Sequence, residues 1–126
     1  KAVRTAIELA GTPVRVHVIY VNPSLNPVSP IGVWGDATAE QQCADKAHLY
    51  LKTFLASHDI EDVNTAVEIG QPANEIIDYV KEQGGDLIVI PSHGHSGIKR
   101  AMLGSVAERV IRLARSNVLV LKERDA

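Results

Sequence analysis

The sequence contains a single cysteine, Cys43, among its 126 residues. One cysteine cannot form a disulfide within the chain, so the fold is expected to hold together without covalent cross-links. The sequence also lacks an apolar run as long as a signal peptide core or a membrane-spanning helix. Together these absences predict a cytoplasmic location and no membrane interaction.

The sequence also lacks a large excess of positive or negative charge, and it contains few aromatic residues. Thirteen Lys and Arg against fifteen Asp and Glu give a net charge of -2 with no long basic run, so tight binding to nucleic acid is not expected. Aromatics make up 4% of the residues but hydrophobic residues 45%, which predicts an aliphatic core. No repeat, low-complexity tract or linker divides the chain, so residues 1–126 are expected to form a single domain.

Segments with strand and helix patterns alternate along the chain. The predicted strands are rich in β-branched residues and cover Val14 to Val21, Thr65 to Gly70, Leu87 to Pro91 and Val118 to Lys122. Helical spacing of apolar residues lies between them, and strand–helix alternation is typical of parallel sheets with right-handed crossovers. We therefore predict an open, doubly wound parallel sheet covered on both faces, a Rossmann-like three-layer α/β/α fold.

The apolar stripes of the predicted helices indicate which faces pack on the sheet. One stripe contains Cys43, Ala47, Leu51, Phe54 and Leu55, and the next contains Ala73, Ile76, Ile77 and Val80. Pro72 suits a first helical turn, and Gly84 suits the end of the same helix.

The first residues already have helical spacing, from Lys1 to Leu9, and Gly11 marks the end of that helix. In a doubly wound sheet the first strand usually occupies the middle, next to the ligand site. Without it, the sheet would keep a central gap with two unpaired edges. We therefore expect the first central strand to be missing from this sequence, and expect upstream residues or another segment to fill the gap.

The segment from Asp86 to Arg115 has the pattern of an anion site. An apolar strand, DLIVIP, leads into the loop SHGHSGIKRAML and then into a helix that starts GSVAERV. Free N–H groups at a helix start, together with the helix dipole, favour a phosphate. Gly94 and Gly104 would allow close backbone approach, the Ser105 hydroxyl could donate to phosphate, and Lys99 and Arg100 could add charged contacts.

Other interpretations of these residues remain open at this point. Ser105 and Glu108 also form the S-x-x-E pattern of a capping box, which needs no ligand. His93 and His95 provide only half of a metal site, so no metal is predicted. His17 is interpreted as a packed or hydrogen-bonded structural histidine rather than a base. No set of nucleophile, base and orienting group indicates catalysis.

The chain resembles a universal stress protein domain over nearly its whole length. The resemblance rests on HVIYV, on GQP before EIIDYV, on DLIVIPSHG, and on the closing LGSVAERVIRLARSNVLVLK. Members of the nucleotide-binding branch carry a glycine, two residues, a glycine, nine residues, and then glycine with serine or threonine. Gly94, the nine residues that follow it, and Gly104 with Ser105 fit this pattern. Pro91 replaces its first glycine and supplies no N–H.

The resemblance implies an adenine nucleotide alpha hydrolase-like fold and a stress-response switch that binds ATP, ADP or AMP. Mg²⁺ could accompany the nucleotide, and little or no catalysis is expected. Val18 would pack near the adenine, and the implied phosphate-side residues are Ser92, His93, Gly94, Arg100, Gly104, Ser105 and Val106. The resemblance also implies a homodimer formed through the last strand, Val118 to Leu121.

Two other functions are weighed against this one. Because Pro91 removes a possible backbone donor, the chain could instead be a dimeric interaction module that binds no nucleotide. An ATP-dependent adenylating enzyme of related fold is a further alternative. It would require a Gly/Ser-rich phosphate loop after the first strand.

Overall fold

The computed structural model describes residues 1–23, 37–93 and 103–122, and for residues 37–41 and 43 it describes the backbone alone. Four helices and four strands alternate within these ranges, as the sequence predicts. They are α1 (Ala2–Ala10), β1 (His17–Asn22), α2 (Ala37–Ser57), β2 (Asn64–Ile69), α3 (Pro72–Gln83), β3 (Leu87–Pro91), α4 (Ser105–Leu113) and β4 (Asn117–Leu121). Among the described helices, none is both long and apolar enough to cross a membrane.

The strands form two parallel pairs. In the first pair β1 lies beside β2, with Val18 opposite Thr65, and in the second β3 lies beside β4, with Ile88 opposite Val118. A cleft separates the pairs, and β1 and β3 face each other across it. The order across the molecule is therefore β2, β1, cleft, β3, β4.

Helices cover both faces of this arrangement. The step from β1 to β2 and the step from β3 to β4 run in opposite directions away from the cleft, so right-handed crossovers place α2 and α4 on opposite faces. Helix α3 contacts α4, whereas α1 contacts β3 and α2 contacts β1 and β2. The predicted three-layer α/β fold is thus confirmed.

The core has a part on each face. Between α3, α4 and β3 the buried residues are Ala73, Ile88, Ile90, Ala107 and Val110. On the other face, α2 buries Ala47, Leu51 and Leu55. Phe54, expected on the same stripe, is 40% exposed and its ring lies 4.7 Å from that of His58. The side chain of Cys43 lies outside the described residues.

The predicted strand start at Val14 is wrong, because Pro13–Arg15 form a short 3-10 turn and β1 begins only at His17. Pro13 has the fixed φ that suits the first residue of such a turn. The side-chain Nδ2 of Asn64 donates to the carbonyl oxygen of Val14 at 2.9 Å. Turn geometry and this tertiary hydrogen bond override the β propensity of Val14 and Val16.

The predicted helix ends agree with the structure. Helix α1 stops at Gly11, whose φ of 81° is the left-handed conformation that favours glycine. Pro72 occupies the first turn of α3 behind the N-cap Gln71, and Gly84 ends that helix with a φ of 67°. The prediction for β3, Leu87 to Pro91, matches its observed bounds.

Candidate functional site

The amino end of α4 is tied directly to the carboxyl end of β3. Ser92 follows the last residue of β3, and its N–H donates to the carbonyl oxygen of Leu121 at 2.8 Å. The carbonyl oxygen of Ser92 accepts a 2.7 Å hydrogen bond from the N–H of Gly104. Ser92 is 4% exposed, so this link lies inside the protein. It fixes where α4 begins relative to the sheet.

Gly104 is needed because of this close approach. A Cβ atom built at Gly104 would lie 2.7 Å from the carbonyl oxygen of Ser92 and 3.4 Å from the Cα of His93. The φ of -63° and ψ of 152° at Gly104 are open to any residue, so the requirement is steric. The need for glycine at this position therefore comes from the contact with Ser92, and the approach of the Gly104 backbone to a phosphate stays a prediction.

The capping-box interpretation of Ser105 is wrong. Gly104 is the N-cap of α4, since its carbonyl oxygen accepts from the N–H of Glu108 at 2.9 Å, and Ser105 is the first helical residue. No side chain caps this helix. The carboxylate of Glu108 instead lies 3.5 Å from Arg112 on the exposed face of the helix. The exposed Ser105 hydroxyl therefore has no capping role.

The first turn of α4 presents backbone donors to an anion. The N–H of Gly104 is occupied by Ser92, so the donors available at the helix start belong to Ser105, Val106 and Ala107. The helix dipole adds partial positive charge at the same place. This end of the molecule can thus accept a phosphate through backbone groups.

His93 lies beside Ser92 at this site. Its Nδ1 is hydrogen-bonded to the Ser92 hydroxyl at 3.1 Å, and the imidazole is half-buried. Within residues 1–23, 37–93 and 103–122, no group of three or more His, Cys, Asp or Glu side chains could hold a metal ion. Of the predicted site residues, Gly94 and Arg100 lie outside the described residues, as do His95 and Lys99.

Val18 lies apart from the other predicted residues, on the wall that β1 contributes to the central cleft. The cleft has a volume of about 770 Å³, and Pro91 at the end of β3 lines its opposite wall. The structure therefore brings together Ser92, His93, Gly104, Ser105 and Val106. It places Val18 across the cleft from the strand that leads into them.

Tyr79, which no sequence motif singles out, lines the same cleft. Its hydroxyl is hydrogen-bonded to Nδ1 of His17 at 2.7 Å, which confirms the structural interpretation of that histidine. Burial raises the pKa of Tyr79 above its usual value of 10.0, and the negative charge of Glu68 adds to the rise. Tyr79 follows Ile76 by three residues on the apolar stripe of α3. A polar aromatic residue at this spacing indicates that its hydroxyl faces the interior beside the apolar residues.

Comparisons with known proteins agree on one family. The model described as "Universal stress protein family" matches residues 1–122. The chain is 47% identical over 122 residues to universal stress protein YxiE of Bacillus subtilis, a match that covers 97% of the chain and 73% of YxiE. It is 46% identical over 61 residues to universal stress protein MJ0531 of Methanocaldococcus jannaschii, covering 48% of the chain but only 36% of MJ0531.

Solved structures share the fold. The structure of MJ0577, also from Methanocaldococcus jannaschii, superposes with a TM-score of 0.76 at 22% identity, covering 99% of this chain and 88% of that one. Universal stress protein UspA from Lactobacillus plantarum gives a TM-score of 0.68 at 26% identity, covering 96% and 87% of the two chains.

Proposed function

The chain belongs to the universal stress protein family, and we propose that it binds ATP, ADP or AMP where β3 ends and α4 begins. The observation that carries the proposal is the 2.7 Å hydrogen bond from Gly104 to Ser92. This bond holds the open donors of α4 at the carboxyl edge of a parallel sheet, where α/β proteins bind their ligands. That the ligand is an adenine nucleotide is inferred from the family pattern, which Gly94, Gly104 and Ser105 fit.

Each part of the site has a distinct task in this proposal. The N–H groups of Ser105, Val106 and Ala107 bind phosphate oxygens, and the Ser105 hydroxyl donates a further hydrogen bond. Val18 packs against the adenine, and Arg100 adds positive charge. Mg²⁺ can accompany the phosphates. Every residue assigned here binds or positions the nucleotide, so we expect little or no turnover.

The proposed role is regulatory and cytoplasmic: nucleotide occupancy changes the conformation or partner binding of the protein during stress. Because no residue is assigned a catalytic role, the site would respond to nucleotide concentration only through the fraction of molecules that have nucleotide bound. The whole protein's partners would then respond to which nucleotide is bound.

A charge placed at Ser105 tests the phosphate contact. We expect Ser105→Glu to weaken ATP binding by about tenfold or more, because its carboxylate would repel the phosphates. Stability should stay unchanged or rise slightly, since Ser105 is exposed and an acidic side chain at a helix start is favourable. Isothermal titration calorimetry gives the affinities, and urea unfolding gives the stabilities.

Ser105→Gln is the matched control, with nearly the same size and no charge. It should bind ATP much more tightly than Ser105→Glu. Equal ATP affinities for the wild type and both variants would contradict the assignment of Ser105.

A second candidate function is a dimeric interaction module that binds no nucleotide. Pro91 favours this candidate. It ends β3 at the position where the family pattern has a glycine, and proline supplies no N–H to bind a phosphate. If the purified wild-type chain releases no adenine nucleotide in denaturing mass spectrometry and binds no added ATP in calorimetry, this candidate replaces the first.

We also propose that the protein forms a homodimer through β4. The carbonyl oxygen of Leu121 accepts from Ser92, the residue after β3, so the backbone groups of Val118 and Val120 point to the outer edge, where a second copy could pair antiparallel. Sedimentation equilibrium should give twice the chain mass of 13.6 kDa. A single-chain mass at every concentration tested would contradict the proposal.

A further inference from the structure

A titratable side chain, His93, lies beside the backbone donors of the proposed nucleotide site. His93 follows Ser92 directly, and its Cα lies 3.4 Å from the position that a Cβ at Gly104 would occupy. Gly104 is the N-cap of α4, so the backbone that carries the imidazole touches the start of this helix. The first-turn N–H groups of α4 therefore have a group next to them whose charge can change near neutral pH.

The hydroxyl of Ser92 fixes this imidazole through one of its two nitrogens. Oγ of Ser92 lies 3.1 Å from Nδ1 of His93, and Ser92 is buried, so water competes little for this hydrogen bond. The backbone of Ser92 is itself held on two sides, by Leu121 at the end of β4 and by Gly104 at the start of α4. The residue that sets where α4 begins thus also sets where the imidazole lies.

The Ser92 hydroxyl can serve a neutral and a charged imidazole equally well. A hydroxyl rotates, so it donates to Nδ1 when that nitrogen carries no proton and accepts from Nδ1–H when the ring is charged. In both of these arrangements Nε2, the other ring nitrogen, carries a proton and can donate. The charge of the ring can therefore change without loss of the hydrogen bond to Ser92.

The described charged groups at this edge of the sheet are of both signs. They are Lys1 before α1, Glu75 in the first turn of α3, Glu108 in the first turn of α4, and Lys122 after β4. Nζ of Lys1 lies 3.3 Å from the carbonyl oxygen of Lys122, and the carboxylate of Glu108 lies 3.5 Å from Arg112. Lysine, arginine and glutamate side chains ordinarily keep their charges between about pH 6 and pH 8.5, whereas histidine is the type that titrates there.

We propose that nucleotide binding at the start of α4 is linked to protonation of His93. This rests on the proposed function, because the phosphates of the nucleotide supply the negative charge. A phosphate held by the N–H groups of Ser105 and Val106 lies near the ring and favours its charged form. By reciprocity the charged ring strengthens phosphate binding by the same factor, so the affinity rises as the pH falls. The site then responds to proton concentration as well as to nucleotide concentration.

The pH dependence of ATP affinity in the wild type and in His93→Asn tests this link. Asparagine keeps an amide that can hydrogen-bond to the Ser92 hydroxyl, but it does not titrate. From about pH 6 to about pH 8.5 the wild type should lose about five- to tenfold more affinity than the variant, the effect of one charge-assisted hydrogen bond. ATP itself titrates toward the lower end of this range, and its contribution cancels because both proteins bind the same nucleotide.

Proton uptake on binding is measured by calorimetry in two buffers that differ in ionisation enthalpy. At about pH 7 the wild type should take up about half a proton more per ATP than His93→Asn, which is the difference that a coupling of about tenfold produces. Equal uptake by two proteins that both bind ATP would overturn the link and leave the proposed function standing. A wild type that binds no ATP at any pH in this range would overturn both.

NMR of the histidine ring protons gives a measurement on the wild type alone. On addition of ATP at about pH 7, the His93 signal should move toward the position of a charged imidazole. His58 is the internal reference. It lies at the opposite edge of the sheet, because α2 runs from the carboxyl end of β1 to the start of the parallel strand β2. A His93 signal that saturating ATP leaves in place, or that moves only as far as the His58 signal, would overturn the proposal.

Discussion

Gly104→Val should abolish measurable ATP binding and lower the free energy of unfolding by about 2–4 kcal/mol. The Cβ of the new side chain would lie 2.7 Å from the carbonyl oxygen of Ser92, a backbone atom that cannot move without shifting the end of β3. The start of α4 must therefore move. The hydrogen bond from Gly104 to Ser92 and the placement of the first-turn donors are lost together.

Gly104→Ala distinguishes this cause from side-chain bulk, because the predicted clash involves Cβ itself. The free energy of unfolding of the Gly104→Ala variant should therefore fall by most of the amount lost in Gly104→Val. Gly85→Ala is the matched control, since its Cβ would meet a side-chain methyl of Val80 at 3.1 Å and that side chain can adjust. Urea unfolding and calorimetry check these expectations. A Gly104→Ala variant with wild-type stability and affinity would contradict the close approach to Ser92.

Leu51→Ala should destabilise the protein by about 2–4 kcal/mol. Leu51 is 5% exposed on the face of α2 that packs against the β1–β2 pair, and truncation would leave a cavity there. The midpoint of urea unfolding should fall while the slope of the transition stays the same. The melting temperature should fall by about 3–6 °C for each kcal/mol in a domain of this size.

Leu49→Ala is the control on the same helix. Leu49 is 67% exposed, so the same chemical change should alter stability by less than about 0.5 kcal/mol. Similar losses for Leu49→Ala and Leu51→Ala would contradict the orientation of α2 on the sheet.

The candidate site was only partly predictable. The Gly104-Ser105 pair identified where α4 begins, because glycine and serine are common at helix starts. The assignment of Ser105 to a capping box failed, since S-x-x-E does not reveal which residue is the N-cap. That position is set by the hydrogen bond from Gly104 to Ser92, twelve residues earlier in the chain.

The sequence by itself determined the alternation of strands and helices, the bounds of β3, the end of α1 at Gly11, and the family. These features depend on periodicity, β-branched residues and turn residues, which act within a few positions of one another. Tertiary structure decided the start of β1 at His17, the exposure of Phe54 and the contact of Gly104 with Ser92. Each of these depends on how segments pack against one another, which the local pattern of residues does not specify.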